Sequence, residues 1–260
     1  MKVTPLSNNR FFLYEHLNRA RRFHCSVSGV YRYDVTDLVA ELERQRAAGR
    51  KVSLVTLLVR ATGILLARHP RLNRHLFHGL FRKVEVEFDT ISCTLIVHRK
   101  LAEGEDILFP VILERPHERT PDDLYAEVRR MKTMPLDEVP QIAAFERVKK
   151  MPRLALRWFS YKSRSDPSFY LKYFGTYGLS SMLTDGWGAH AGHGVASVGC
   201  GFQPGSMRDE AVAVDGEVQI RKILHLGILV DHFLLDGMDV ARAMHDLRAM
   251  LETTALLEED

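Results

Sequence analysis

The 260-residue sequence is poor in cysteine, with only Cys25, Cys93 and Cys200. They are far apart, odd in number and in no metal-ligand spacing. That excludes a disulfide scaffold and a cysteine-based zinc site, and it fits a reduced, cytoplasmic setting. Long apolar runs are missing too. The best candidate for a membrane span, residues 54–67, is interrupted by Arg60 and is too short. The N-terminus lacks the apolar segment of a signal peptide. No internal repeat, low-complexity tract or Gly/Ser/Pro linker divides the chain. A large excess of one sign of charge is also lacking: the formal net charge is only +3, whereas a dedicated nucleic-acid binder usually shows a dense basic face.

What is present is ordinary globular material, 46% apolar and 27% charged, in a chain long enough to bury a large core. Helical and strand-like patterns alternate. Asp34 or Thr36 can cap a helix through Leu38, Val39 and Leu42 that stops near Gly49. Ser53 can cap a second, ending near His69-Pro70. Residues 83–88 alternate, with Val84, Val86 and Phe88 on one side, as in a half-buried strand. Residues 91–97, 108–113 and 218–230 read as further strands. Thr120-Pro121-Asp122-Asp123 is a strong helix start. From Asp239 a last helix carries Val240, Ala243, Met244, Leu247 and Leu251 on one stripe. Helices over one sheet, α/β or α+β, are the expected architecture.

The sharpest motif is Asp231-His232-Phe233-Leu234-Leu235-Asp236-Gly237, between a very apolar strand and an amphipathic helix. A histidine at a strand end can take a proton and return it near neutral pH. Gly237 permits a tight turn into the helix. A strand-to-helix turn merely capped by Asp236 is the competing reading.

The motif resembles the active-site segment Asp-His-Arg-x-x-Asp-Gly of the dihydrolipoamide acyltransferase cores of 2-oxoacid dehydrogenase complexes, and His-His-x-x-x-Asp-Gly of the related chloramphenicol acetyltransferases. Colinear stretches extend the likeness over roughly residues 10–255. Residues 214–221 are similar to the lead-in hairpin, and Gly175-Thr176-Tyr177-Gly178-Leu179-Ser180-Ser181 to the serine segment. Phe109-Pro110-Val111-Ile112, Asp34-Val35-Thr36 and Pro70-Arg71-Leu72-Asn73 match shorter landmarks.

The resemblance implies a chloramphenicol acetyltransferase-like two-layer sandwich, a mixed sheet covered by helices, in one catalytic domain over residues 1–260. It implies coenzyme A chemistry, with acyl-CoA as substrate, no metal and no lipoyl group on this chain. His232 would be general base on a thiol, hydroxyl or amine acceptor, and Ser180 would donate to the oxyanion. Asp236 would hold the turn by pairing with an N-terminal arginine, here Arg10, with Asp231 and Gly237 supporting. It also implies a homotrimer with His232 and Ser180 from different subunits.

The 260 residues leave no room for a lipoyl or subunit-binding domain beside the core, so a core acting without them is the expectation. Phe233 stands where the family has arginine, and Ser181 where it has asparagine, so the acceptor pocket is expected to differ. Residues 141–174 read as a basic, aromatic insertion. Its aromatics pack on the core, or its cations dock an acidic carrier protein (acyl-carrier or lipoyl) in trans, CoA phosphates or a membrane surface. His190 and His193 read as loop histidines that line the altered pocket, or as metal ligands of a hydrolase. A non-catalytic trimeric scaffold is the alternative to an acyltransferase.

Overall fold

A computed structural model describes the chain except residues 1, 2, 4, 7, 101–105, 136, 137, 140–146, 148, 149, 186–188, 190, 191, 193, 195–197, 259 and 260. The elements in chain order are α1 (Asn8–Phe23), β1 (Ser26–Asp34), α2 (Thr36–Ala47), α3 (Leu54–Arg68), β2 (Arg74–His78), β3 (Lys83–Glu87), β4 (Ser92–Lys100), β5 (Asp106–Glu114), α4 (Pro121–Thr133), α5 (Arg153–Ser165), α6 (Pro167–Phe174), β6 (Tyr177–Leu179), β7 (Thr184–Asp185), β8 (Cys200–Val214), β9 (Glu217–Asp231) and α7 (Gly237–Leu251).

The main sheet is mixed and runs β1-β9-β8-β6-β4-β5, with β7 added beside β8. Strand β6 is parallel to both neighbours, β4 and β8, and the other pairs along that path are antiparallel. Register places Tyr33, Leu224, Leu226, Ile228, Phe202, Leu179, Leu95 and Val111 on one face. These side chains meet α2, α3, α4 and α7 in one continuous core. Helix α3 lies deepest, buried on nearly all sides, which is why its sequence is apolar beyond a simple stripe.

Most sequence-level boundaries agree with the structure, for local reasons. Ser53 accepts from the Thr56 N–H and forms a capping box with Thr56. Thr120 caps α4, with Pro121 in its first turn. The expected cap of α2 by Asp34 or Thr36 is corrected: the N-cap is Val35, without a side-chain cap, while Asp34 binds the Thr36 N–H and hydroxyl just ahead of it and takes an ion pair from Arg221. The β8–β9 hairpin closes on Asp215-Gly216, both at positive φ (51° and 87°), which is the backbone a two-residue hairpin of right-handed twist demands.

Two further expectations are corrected. Strand β3 is largely solvent-facing, with Val84 42% exposed, because it pairs only with β2 in a separate two-stranded ribbon. The last helix begins at Gly237 rather than Asp239, because Asp236 supplies its cap. The described part of the 141–174 stretch is helical. Phe159 and Leu156 pack with Phe11 of α1, while Tyr170 packs with Phe77 and Phe88. Several of its cations fold back onto the chain. Arg153 lies over Phe11, Arg157 pairs with Glu15, Arg164 donates to the His78 carbonyl, and Lys162 pairs with Asp166.

Gly199 is fixed by a close backbone approach. A Cβ there would lie 1.7 Å from the Arg74 carbonyl oxygen, and the Gly199 carbonyl receives the Asp231 N–H. Gly199→Ala is therefore expected to destabilise by more than Ser53→Ala, whose lost cap costs about 1 kcal/mol. Urea denaturation midpoints of the two variants check the order, and equal midpoints would contradict it.

Candidate active site

The turn after β9 is built around a buried carboxylate. Asp231 closes the strand with no solvent exposure. Its Oδ1 accepts from the backbone N–H groups of Cys25 and Phe233, both at 3.1 Å. Its Oδ2 lies 2.6 Å from Nδ1 of His24. Burial by itself would raise the Asp231 pKa. The His24 hydrogen bond and the backbone N–H groups outweigh it and hold the carboxyl below the usual carboxylate range.

His232 follows directly. Its backbone N–H donates to the Cys25 carbonyl at 2.7 Å. Its ring Nδ1 is 2.8 Å from the Leu235 carbonyl oxygen. A carbonyl only accepts, so Nδ1 carries the proton in the neutral ring and Nε2 keeps its lone pair. That is the tautomer a general base needs, presented on an exposed turn. Phe233 beside it is 66% exposed.

Asp236 is the N-cap of α7. It accepts from the Met238 and Asp239 N–H groups, which hold its pKa below the ordinary range. Asp239 reciprocates to the Asp236 N–H and pairs with Arg71 at 2.7 Å. Arg71 and Arg242 are cations that act on Asp236 within this subunit, and the expected Arg10 lies in the first turn of α1. The landmark Pro70-Arg71-Leu72-Asn73 thus has a physical use at the site, since Arg71 anchors the cap.

Ser180 follows β6, half-buried, with its N–H on the Phe202 carbonyl. The Ser181 hydroxyl accepts from the Leu183 N–H. Gly175, at φ 62°, lets the chain enter β6: a Cβ there would lie 2.8 Å from the Thr94 hydroxyl. His190 and His193 lie outside the described residues. Among the described residues no histidine, cysteine or carboxylate group is arranged to hold a metal, and no helix is long and apolar enough to cross a membrane.

Within one chain His232 and Ser180 do not meet. Strand β6 is parallel to β8 and β9 is antiparallel to it, so the C-terminal ends of β6 and β9 point to opposite ends of the strands. Ser180 aligns beside Gln203, whose partner on β9 is Gly227, five residues before His232. Two strand spacings across and five residues along amount to roughly 20 Å.

Residues 201–258, covering β8, β9, the His232 turn and α7, match the family model of the 2-oxoacid dehydrogenases acyltransferase catalytic domain. The chain has the chloramphenicol acetyltransferase-like fold. A probable dihydrolipoamide acetyltransferase from Listeria monocytogenes superposes with TM-score 0.69 at 16% identity, over 98% of this chain and 95% of that one. The dihydrolipoamide acetyltransferase of Azotobacter vinelandii gives TM-score 0.71 at 18% identity, over 99% and 94%. A chloramphenicol acetyltransferase gives 0.50 at 14%, over 96% and 98%. Comparison with curated protein sequences returned no match. The two-layer sandwich expected from the motifs is the observed architecture.

Sequence reasoning missed His24. It is 207 residues from Asp231 and belongs to no local pattern, and only the pairing of β1 with β9 brings them together. Behind it His75 is 2% exposed, and burial pushes its pKa down to about 3, the charge of His24 acting in the same direction. The unfolded chain therefore binds a proton that the folded chain does not over the range from about 6.5 to about 3. Stability falls as the pH drops through that range, by about 1.4 kcal/mol per pH unit for this one group. His75→Phe is expected to flatten the dependence by that amount in urea titrations near pH 7, 5.5 and 4.5. An unchanged slope would contradict the assignment.

Proposed function

We propose that the chain is an acyltransferase core that moves an acyl group between a coenzyme A thioester and an acceptor by direct transfer, in a trimer whose sites lie between subunits. The observation that carries this reading is the tautomer lock on His232: Nδ1 is held by the Leu235 carbonyl and Nε2 is free to accept a proton. The acceptor thiol, hydroxyl or amine gives its proton to Nε2 and attacks the thioester carbonyl. The tetrahedral oxyanion is met by the Ser180 hydroxyl of a neighbouring subunit. Collapse expels the CoA thiolate, and the imidazolium returns the proton to it.

Spacing supports the assignment. In the Azotobacter enzyme a serine, a histidine and an asparagine have roles in the catalytic mechanism. The histidine there follows the serine by 52 residues and the asparagine lies four further on, the separations of Ser180, His232 and Asp236. Topology supports the shared site, because the opposed strand ends keep the two side chains of one subunit apart. The match to the cubic core of a pyruvate dehydrogenase multienzyme complex, at TM-score 0.69, supports assembly of this fold into larger particles. The exposed Phe233, next to the base in the chain, gives it an apolar neighbour, which favours an acceptor with an apolar portion beside its nucleophile. A carrier protein bearing that acceptor is compatible with an open turn, whereas the cations of α5 are largely engaged within the chain.

Thiol release from an acyl-CoA panel with dihydrolipoamide and other small acceptors tests the reading. His232→Ala is expected to lose roughly 10²–10⁴ in kcat and Ser180→Ala roughly 10²–10³. Equal rates for wild type and His232→Ala across the panel would sink it. Co-expression of the two inactive chains tests the shared site. Random mixing restores about a quarter of the wild-type activity per site if each site draws on two subunits. No recovery from mixed assemblies would contradict it.

A further inference from the structure

We propose that His24 is a positioning residue for this site, acting through Asp231 to fix the direction in which His232 presents Nε2. The inference rests on the acyltransferase reading and extends it to a residue outside the family-matched segment. The geometry is a short chain of contacts. His24 Nδ1 meets Asp231 Oδ2 at 2.6 Å, with the two side chains 5% and 0% exposed. The other carboxylate oxygen takes the N–H groups of Cys25 and Phe233. Phe233 immediately follows His232, and Cys25 is the residue whose carbonyl receives the His232 N–H. One carboxylate thereby clamps the backbone after the base and the strand that supports it. Carboxylate oxygens accept in several directions, so Asp231 needs a third donor to fix its own rotation, and His24 supplies it.

The surroundings hold His24 still. Its ring lies 5.2 Å from that of His75 and 5.8 Å, edge-on, from that of His78. It closes one wall of a small cavity between α1, β2, α5 and α6, with Arg19, His75, Arg164 and Tyr170 around it. A ring packed on several sides has few rotamers to lose, so the hydrogen bond to Asp231 is held at little entropic cost. His24 is buried away from the exposed turn and touches no reacting atom in the proposed chemistry, which makes its role positional rather than catalytic.

The test compares His24→Asn, His24→Leu and Asp231→Asn in the full chain. Asparagine places its side-chain N–H₂ near where Nδ1 stood and keeps the donor, whereas leucine removes it. His24→Leu and Asp231→Asn are expected to lower kcat by roughly tenfold to a hundredfold with KM for the acyl-CoA changed less than about twofold, and His24→Asn to stay within about threefold of wild type. Thermal melts of all three variants accompany the kinetics. A second readout does not depend on turnover. The ¹⁵N shifts of the His232 ring report a protonated Nδ1 in wild type and His24→Asn, and move toward the averaged values of a freely exchanging imidazole in the other two.

Wild-type kcat together with an undisturbed His232 tautomer in His24→Leu would overturn the proposal. So would a failure of His24→Asn to rescue, which would mark the residue as packing alone. If His24→Leu does not fold, Asp231→Asn against His24→Asn carries the comparison. If wild type transfers no acyl group at all, the acyltransferase reading falls, and the ring shifts alone decide the positioning role.

Discussion

A carboxylate with no access to water joins the two strands on which the candidate base depends. Asp231 sits where β9 ends, and in an apolar sheet an ionised group at such a place is costly unless each oxygen is satisfied. It is satisfied by three donors: two backbone N–H groups and the His24 ring. Those donors come from the start of β1 and from the turn itself. Folding the sheet and shaping the turn are therefore one event. Losing one donor would leave a buried charge short of a partner and loosen the turn that carries His232.

The same economy extends downstream. The capping box at Asp236 starts α7 two residues after Leu235, whose carbonyl holds the His232 ring. Arg71 fixes the other member of that box, Asp239. The base is thus held from three directions, by the β1 lead-in, by the turn carbonyl and by the head of α7. Against this local rigidity stands the long separation from Ser180. A sheet in which the strands leading to Ser180 and His232 run oppositely sends the two residues to opposite ends of the strands. Chemistry that needs both side chains is then chemistry of the assembly.

Much of this was legible in the sequence because local physics dictated it. Ser53, Thr120 and Asp236 cap helices by hydrogen bonds that span at most three residues. Asp215-Gly216 turns a hairpin because glycine tolerates a positive φ and aspartate visits that region more readily than most residues. Val240, Ala243, Met244, Leu247 and Leu251 show the helical period that their burial requires. What stayed hidden depends on contacts between distant segments. Nothing near His24 marks it as the partner of a residue 207 positions away. Val84 alternates like the inner side of a half-buried strand, yet its ribbon lies outside the main sheet. Arg71 pairs with Asp239 at the head of α7 across 168 positions, with no local signal. For the basic aromatic stretch the sequence left core packing and docking both open, and only the distant partners Phe11, Phe77 and Phe88 show that Phe159 and Tyr170 are buried in satellite clusters.

The central claim is that one site is assembled from two subunits. An experimental structure of the assembled protein with a non-hydrolysable acyl-CoA analogue tests it most directly. The account predicts His232 Nε2 from one subunit and the Ser180 hydroxyl from its neighbour on either side of the acyl carbonyl, the hydroxyl within about 3 Å of the oxyanion position. An analogue bound with its acyl group away from His232, or a base and serine that share no carbonyl in any pair of subunits, would contradict it.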